Sequence, residues 1–237
     1  MTTGVFPAVV SIETARDLYG AAGGGHGFDH VLRVYDLALR VGAAEGADLP
    51  VVGAAALLHD IGESQGRSDH HLRGAAMAGE ILVAQPAEFI AAVVHAIAAH
   101  RFRKEPRPRT LEAQVVSDAD KLDAIGAIGI ARVFAYAGAR GSALWRLPWR
   151  EIAAVQEGRG RGDPARTPAR TLYMSDSDAE NGPKVLGNAY TPVHEFVYKL
   201  DRIPDQLYTA TARAVAVDRQ SFMRAFFERL DQEIIGG

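Results

Sequence analysis

Histidine and aspartate residues are concentrated in the first half of this 237-residue chain, in a pattern that could bind a metal. Seven of the eight histidines lie between positions 26 and 100. The adjacent residues His59 and Asp60 follow the apolar run Ala-Ala-Ala-Leu-Leu, which predicts a position in the core. A buried carboxylate is costly unless it is paired or binds a cation, and imidazole with carboxylate suits a divalent metal. The dipeptide alone is equally consistent with a buried hydrogen bond between the two side chains.

The elements that must position these residues are predicted to be helices throughout. Alanine is abundant, and runs of Val, Ile and Tyr with the alternating period of β-strands are scarce. Ser11 is a candidate N-cap of the first helix, and Thr110 is a candidate N-cap of a long later one. Helical spacing of apolar residues places the helices at about 11–19, 28–44, 51–63, 71–84, 86–102, 110–138, 194–200 and 204–235.

Three of these helices each offer a type of metal ligand. His30 lies on the second helix, His59 and Asp60 lie on the third, and Asp120 lies on the long helix that begins near Thr110. Helix bundles commonly build metal sites from side chains on facing helices. The arrangement therefore favours a metal site over an isolated hydrogen bond between His59 and Asp60.

Residues 141–190 differ in composition from the rest of the chain. GRGRGDPARTPAR and SDSDAENGPK are rich in Gly, Pro, Arg, Asp and Ser, which is typical of a long loop or a partly disordered insertion. We predict one domain over 1–237, with core helices at about 11–140, a loop or lid at 141–190 and C-terminal helices at 191–237. Four arginines of the loop could close over an anionic substrate, although such runs are usually solvated: Arg159, Arg161, Arg166 and Arg170.

Composition excludes several classes of site. The net charge of -3 gives no reason to expect broad electrostatic binding to nucleic acid or membranes. The chain has no cysteine, which excludes disulfides, thiolate catalysis and cysteine zinc sites. We find no signal-peptide pattern, no apolar run long enough to span a membrane, no GxxxxGK[ST] phosphate loop and no HExxH zinc helix. The sequence therefore predicts a cytoplasmic protein.

In order and flanking sequence, these residues resemble the HD-domain metal-dependent phosphohydrolase superfamily, particularly its small stand-alone bacterial members. The superfamily signature is a His, an adjacent His-Asp pair and a later Asp. The matching segments are HGFDHVLRV, ALLHDIGE and VVSDADKLDAIGA, and the C-terminal segment FVYKLDRIPDQLYTATARAVAVDRQSFMRAFFERL is also similar. The resemblance implies an all-α HD-domain bundle and a divalent cation, which could be Mn, Mg, Co, Ni or Fe. The implied metal ligands are His30, His59, Asp60 and Asp120.

The choice of Asp120 within its acidic cluster also follows from the resemblance, which puts the ligand in the step Ala-Asp-Lys. Asp118 is two positions away and is predicted to point across the helix. Asp123 shares the face of Asp120, so it could either support the site or pair with a basic residue. Lys121 could neutralise phosphate charge during catalysis, or it could be a surface lysine.

Glu63 is the candidate for activating water, together with the metal ligand Asp60. Glu63 follows His59 by four residues and Asp60 by three, so on an α-helix its side chain would fall between theirs. A carboxylate there could orient or deprotonate a metal-bound water. The alternative is a solvent-exposed acid at a helix end.

His71 and His100 form a second tier of candidates. In the family that this chain resembles, histidines at comparable points ligate a second metal, or contact the phosphate or leaving group. We therefore assign both to the substrate-binding part of the site, with a role in packing as the alternative. The neighbouring His70 is predicted to be exposed.

Three further residues are candidates for binding substrate. His26 precedes His30 by four residues and could face the substrate or support the site. Arg33 shares the face of His30 and could bind a phosphate oxygen in a bidentate manner, or form a structural ion pair. Lys199 lies in the C-terminal segment that resembles the family and is a weaker phosphate candidate.

The resemblance implies hydrolysis by a metal-activated water. The substrate would be a small phosphorylated molecule, in particular a nucleotide, with cleavage of a nucleoside triphosphate to monophosphate and pyrophosphate as one option. Other small phosphate esters fit the same residues. Neither nucleic acid nor a membrane is expected as a partner, and a homodimer is compatible with this interpretation.

Two alternatives of different class remain. A di-iron oxygenase of the same superfamily would use the ordered set His30, His59, Asp60, His71, His100 and Asp120. A non-catalytic signalling module would predict a degraded metal set, whereas the set in this sequence is intact. The Gly-Tyr-Pro signature of cyclic-dinucleotide hydrolases is absent.

Overall fold

The structure, a computed structural model, describes residues 9–20, 27–65, 68–101, 105–156 and 190–236. This part of the chain forms ten α-helices and contains no strand, which confirms the all-α prediction. The helices are α1 (Ile12–Tyr19), α2 (Phe28–Glu45), α3 (Leu49–Leu58), α4 (His70–Ile81), α5 (Ala87–Ala98), α6 (Leu111–Asp123), α7 (Gly126–Ala139), α8 (Trp149–Gln156), α9 (Pro192–Tyr198) and α10 (Ala210–Ile235).

The chain divides into two compact units. The first comprises Met1–Asp123 and Leu207–Ala214, and the second comprises Ala124–Gln206 and Val215–Gly237. No single described helix is long and apolar enough to cross a membrane, and α6 and α7 pass that test only when they are counted together.

The first unit is a helical bundle with α3 at its centre. α2 packs against α3 and α6, α4 packs against α5, and α3 also contacts α5 and α6. Every residue of α3 from Val51 to Leu58 is buried, as predicted for a core helix. Asp48 caps this helix by accepting the backbone N–H of Val51, so the buried helix begins with a satisfied donor.

Two predicted helices end earlier than their apolar pattern suggests. α3 stops at Leu58, and Ile61–Gln65 form a 3-10 turn instead of continuing the helix. The long helix predicted from Thr110 is divided into α6 and α7 by the backbone of Gly126, whose φ is 80°. A left-handed residue interrupts an α-helix, and glycine adopts that conformation without strain. Thr110 does cap α6, because its hydroxyl accepts the backbone N–H of Ala113.

Asp118 fixes the segment Leu207–Ala214 to α6 within the first unit. Its carboxylate is fully buried and accepts hydrogen bonds from the backbone N–H groups of Tyr208 and Thr209, at 3.0 and 2.8 Å. It also accepts the hydroxyl of Thr209 at 2.9 Å. Asp118 therefore has a structural role at the start of α10, consistent with its prediction to point across the helix from Asp120.

Replacing Asp118 should weaken folding. Asp118→Ala leaves two buried backbone donors and a hydroxyl without an acceptor, so the free energy of unfolding should fall by about 3 kcal/mol. Asp118→Asn keeps the size and one acceptor oxygen and should cost less. Urea denaturation measures both changes. Wild-type stability of Asp118→Ala would show that these hydrogen bonds do not hold the segment.

Aromatic rings form the centre of the second unit. Phe196 of α9 stacks on Phe227 of α10 with ring centroids 4.3 Å apart, and Phe134 of α7 stacks on the same Phe227 at 6.2 Å. Both Phe196 and Phe227 are fully buried. These contacts join α7, α9 and the C-terminal part of α10 into one core.

Within the region predicted as a loop or lid, Trp149–Gln156 form helix α8. Asp231 of α10 accepts the indole N–H of Trp145 at 2.6 Å and the backbone N–H of Trp149 at 2.9 Å. These two hydrogen bonds fix the start of α8. Residues 157–189, which include the four loop arginines, lie outside the described residues, so a lid there stays a prediction.

Candidate metal centre

The four predicted metal ligands come together in the first unit. His30 Nε2 lies 3.3 Å from His59 Nε2 and 3.4 Å from Asp120 Oδ1. Asp60 Oδ2 lies 3.3 Å from His59 Nε2 and 3.7 Å from His30 Nε2. Two ligand atoms on neighbouring corners around one ion, each about 2.1 Å from it, are about 3.0 Å apart. The observed separations therefore fit one divalent cation with little movement.

The tautomers of the histidines support the same conclusion. Nδ1 of His30 is 2.7 Å from Asp123 Oδ2, and Nδ1 of His59 is 2.9 Å from the carbonyl of Ala56. A neutral imidazole carries one N–H, so donation from Nδ1 leaves the lone pair on Nε2. Two Nε2 lone pairs facing each other at 3.3 Å repel unless a proton or a cation lies between them. The donor set therefore fits a bound cation.

A second group of ligand atoms shares the carboxylate of Asp60. Asp60 Oδ1 lies 3.1 Å from His70 Nε2 and 3.5 Å from His100 Nε2. The ring of His100 is oriented like that of His59, since its Nδ1 is 2.6 Å from the carbonyl of Ile97. One oxygen of Asp60 thus faces His30 and His59, and the other faces His70 and His100.

The structure corrects the predicted exposure of His70 and defines the contacts of His71. His70, predicted to be exposed, is buried with its ring against Asp60. His71, which the sequence assigned to substrate binding or to packing, directs Nε2 to the carbonyl of Glu105 at 3.4 Å, and a contact with substrate stays a prediction. Its Nδ1 has no hydrogen-bond partner among the described residues. Burial lowers the pKa of His71 to about 4, so its ring is neutral at neutral pH.

Close contact between the 3-10 turn and α4 explains which histidine enters the site. A Cβ atom on Gly62 would lie 2.3 Å from the carbonyl oxygen of His70 and 2.7 Å from the amide of Gly74. Only a glycine allows the turn that follows Asp60 to approach the first turn of α4 so closely. Asp69, directly before His70, is of a residue type common at N-caps, but its side chain makes no capping hydrogen bond here.

Asp123 and Arg33 hold the ring of His30 through its Nδ1, the nitrogen that does not face the other ligands. The buried carboxylate of Asp123 accepts His30 Nδ1, and it also accepts Arg33 Nε at 2.7 Å and Nη2 at 3.1 Å. Arg33 Nη1 donates to Asp29 at 2.6 Å. Of the alternatives left open by the sequence, Arg33 forms the structural ion pair, and binding a phosphate through this fork would require these bonds to break. Asp123 both supports the site and pairs with the arginine.

Lys121 is linked to the site through Ser117 and the backbone carbonyl of His100, which follows α5. Its buried Nζ donates to Ser117 Oγ at 2.8 Å, and Ser117 Oγ donates to the carbonyl of His100 at 2.9 Å. The ammonium also lies 4.8 Å from the centre of the Tyr208 ring. Burial lowers the pKa of Lys121. In this structure the lysine supports His100, so its contact with phosphate stays a prediction.

The remaining candidates from the sequence are Glu63, Lys199 and His26. Glu63 is half-buried on the 3-10 turn, so the α-helical spacing that put its side chain between His59 and Asp60 does not apply. Lys199 lies in the second unit, where its Nζ is 3.0 Å from Glu195 Oε1. His26 lies outside the described residues.

The ionised side chains of the ligand group strongly shift one another's pKa values. Burial lowers the pKa of His30, but hydrogen bonds with Asp120 and Asp123 and the charges of Asp120 and Asp60 outweigh it and raise that pKa to about 10. Burial raises the pKa of Asp60, but the neighbouring imidazoles outweigh it and hold that pKa well below its usual value. Without a cation, the site therefore holds anionic carboxylates and a proton on His30.

The group opens on the side of Asp120. The side chain of Asp120 is 29% exposed, whereas that of Asp60 is 9% exposed and that of His59 is fully buried. Asp120 is therefore the ligand residue at which the group meets solvent, and the histidines lie deeper in the unit.

Comparison with known proteins assigns this site to a family. The HD domain family matches residues 27–125, which contain all the ligand atoms described above. The uncharacterized protein YpgQ of Bacillus subtilis strain 168 is 31% identical over 217 residues, which cover 90% of this chain and 86% of YpgQ. The chain belongs to the HD-domain phosphohydrolase superfamily.

Solved structures of similar proteins share the fold of this HD-domain chain. Bacillus subtilis YpgQ in complex with ADP is 30% identical with a TM-score of 0.65, and the match covers 95% of this chain and 99% of YpgQ. A Lactobacillus plantarum protein is 31% identical with a TM-score of 0.67, covering 94% of each chain. An HD-superfamily hydrolase from Bacillus thuringiensis is 25% identical with a TM-score of 0.64, covering 95% of each.

Metal binding to the HD-domain site should release protons. His30 is protonated at neutral pH in the cation-free site, so a cation that takes Nε2 displaces about one proton. Apparent affinity should therefore rise by about tenfold per pH unit between about pH 7 and 9, below the raised pKa. Calorimetric titration with Mn²⁺ in buffers of different ionisation enthalpy measures the released protons. An affinity independent of pH would contradict this assignment.

Adjacent histidines give a matched test of the HD-domain ligand set. His70→Ala should weaken Mn²⁺ binding by at least about tenfold, since it removes a nitrogen that faces Asp60. His71→Ala should leave Mn²⁺ binding within about threefold of wild type and reduce only stability. Metal content after dialysis, with thermal melting as the folding control, separates the two variants. Equal metal loss in both would overturn the distinction.

Proposed function

We propose that this HD-domain chain is a metal-dependent phosphohydrolase that acts on a small phosphorylated substrate, in particular a nucleotide. The observation that carries the proposal is the buried carboxylate of Asp60, shared between two groups of imidazole nitrogens beside the partly exposed Asp120. Neighbours named as HD-superfamily hydrolases support the hydrolytic class.

The residues of the chain divide into those that hold cations and those that act on the substrate. His30, His59, Asp60 and Asp120 would hold one cation, and Asp60 with His70 and His100 would hold a second. When bound, such cations polarise a phosphoryl oxygen and lower the pKa of a coordinated water. Asp60 would be the bridging ligand, because each of its oxygens faces a different group.

Proton transfer is assigned to Glu63. It lies on the 3-10 turn that follows Asp60, and its carboxylate acts electrostatically on the hydroxyl of Tyr19, whose oxygen accepts the Asp60 amide. A carboxylate close to the metal ligands can accept the proton of the attacking water. Lys121 would stabilise the site through His100 rather than by direct contact.

A nucleotide is the preferred substrate class because a similar protein binds one. The YpgQ structure contains ADP, and YpgQ matches nearly the whole of this chain. Hydrolysis of a nucleoside triphosphate to monophosphate and pyrophosphate is the first reaction to test, and removal of a single phosphate is the second. Both reactions need the same metal ligands and differ in which phosphorus atom is attacked.

A release assay tests the proposal. Metal-free protein is supplied separately with Mn²⁺, Mg²⁺, Co²⁺, Ni²⁺ or Fe²⁺, and phosphate and pyrophosphate are measured over a panel of nucleotides. Asp60→Asn should lower turnover by at least about 100-fold, because it removes the charge shared by both groups. Asp36→Asn, an exposed aspartate of α2, is the matched control and should keep wild-type turnover. Full turnover by Asp60→Asn would show that the assigned site is not the active site.

A di-iron oxygenase on the same fold is the second candidate. The observation that favours it is the complete set of six ligands, in which His70 rather than His71 supplies the third histidine. Two tightly bound irons with an intervalence absorption band, and no phosphate release, would favour the oxygenase. A non-catalytic module is disfavoured because all six ligand positions are occupied by ligand residues.

A further inference from the structure

Tyr19 is an aromatic residue at the edge of the metal centre with no role in the ligand set. It is the last residue of α1, and its hydroxyl oxygen accepts the backbone N–H of Asp60 at 3.1 Å. Its ring packs edge-on against Phe28, with centroids 5.5 Å apart. Phe28 is the first residue of α2 and precedes the ligand His30 by two positions. Tyr19 therefore contacts two of the three segments that supply the ligand group of His30, His59, Asp60 and Asp120.

The hydroxyl of Tyr19 has an unused donor. A phenol has one O–H to donate and lone pairs with which to accept, and the bond from Asp60 uses a lone pair. That bond is the only hydrogen bond of the hydroxyl within the described part of the chain. The carboxylate oxygens of Asp60 already face imidazole nitrogens, so they do not explain the donor. Tyr19 is half-buried, so this donor is open to a group that reaches the metal centre from solvent, such as one that arrives with the substrate.

We propose that Tyr19 binds the substrate, by donating its O–H to a non-bridging phosphoryl oxygen of the phosphate ester held at the metal centre. This inference rests on the proposed function. A phosphate oxygen is a strong, anionic acceptor, so a hydrogen bond to it is shorter and stronger than one between neutral groups. Because the Asp60 amide fixes the hydroxyl oxygen, the donor is oriented before the substrate binds.

A neutral donor suits this position better than a cation would. The carboxylates of Asp60 and Glu63 act on the Tyr19 hydroxyl, and an ammonium or guanidinium group there would pair with them. The nearest arginine on α1, Arg16, instead lies over the ring of Phe28 at 4.8 Å. A phenol can therefore contact phosphate without competing with the cations for the carboxylates.

Binding of inorganic phosphate to the Mn²⁺-loaded protein tests the proposal without turnover. Tyr19→Phe should weaken phosphate binding by about 10- to 100-fold, the usual effect of losing a hydrogen bond to a charged group. Its Mn²⁺ content and affinity should stay within about threefold of wild type. Tyr35→Phe, which removes a hydroxyl from α2 of the same unit, is the matched control and should bind phosphate like wild type.

Each other outcome overturns the proposal. If Tyr19→Phe loses Mn²⁺ in step with phosphate, the residue only positions Asp60. If phosphate affinity is unchanged, or if the loaded wild type binds no phosphate, the donor has no phosphate acceptor. The proposed function fails separately, if wild type binds phosphate but hydrolyses no phosphorylated substrate. In that case the effect of Tyr19→Phe on phosphate binding still tests the hydrogen bond between Tyr19 and phosphate.

Discussion

The buried carboxylate of Asp60 is the group on which the rest of the first unit depends. Its two oxygens face four imidazole nitrogens at 3.1 to 3.7 Å, in a region almost closed to solvent. Burying an ionised carboxylate costs several kcal/mol unless opposite charges and hydrogen bonds offset it. The fold must therefore bring histidines from several helices to one point. Protons on these histidines offset the negative charge of the carboxylates only in part, and a divalent cation would offset the rest.

Helix ends supply the orientation of two of these histidines. His59 follows the last turn of α3 and His100 follows that of α5, and each directs Nδ1 to a carbonyl three residues earlier. The last carbonyls of a helix have no partner within it, so an imidazole that caps them also has its tautomer fixed. The early end of α3 is thus part of how the site is built. His30 lies in mid-helix and uses Asp123 for the same purpose.

Much of this could be predicted from the sequence, because apolar periodicity and the order of ligand types are local signals. The all-α fold and the core position of α3 follow from such signals, whereas the choice of residues 30, 59, 60 and 120 as one ligand set is what the resemblance to the HD-domain superfamily implies. The choice between His70 and His71 could not be predicted from the sequence, because it is set by the close packing of Gly62 against the backbone of α4. Likewise, the start of α8 is fixed by Asp231, which is distant in sequence.

Anomalous scattering from crystals grown with Mn²⁺, with data collected at the manganese edge, tests the shared metal shell most directly. The structure predicts a peak about 2.0 to 2.4 Å from His30 Nε2, His59 Nε2 and oxygens of Asp60 and Asp120. Ordered manganese elsewhere in the crystal, with no peak among these atoms, would contradict the account.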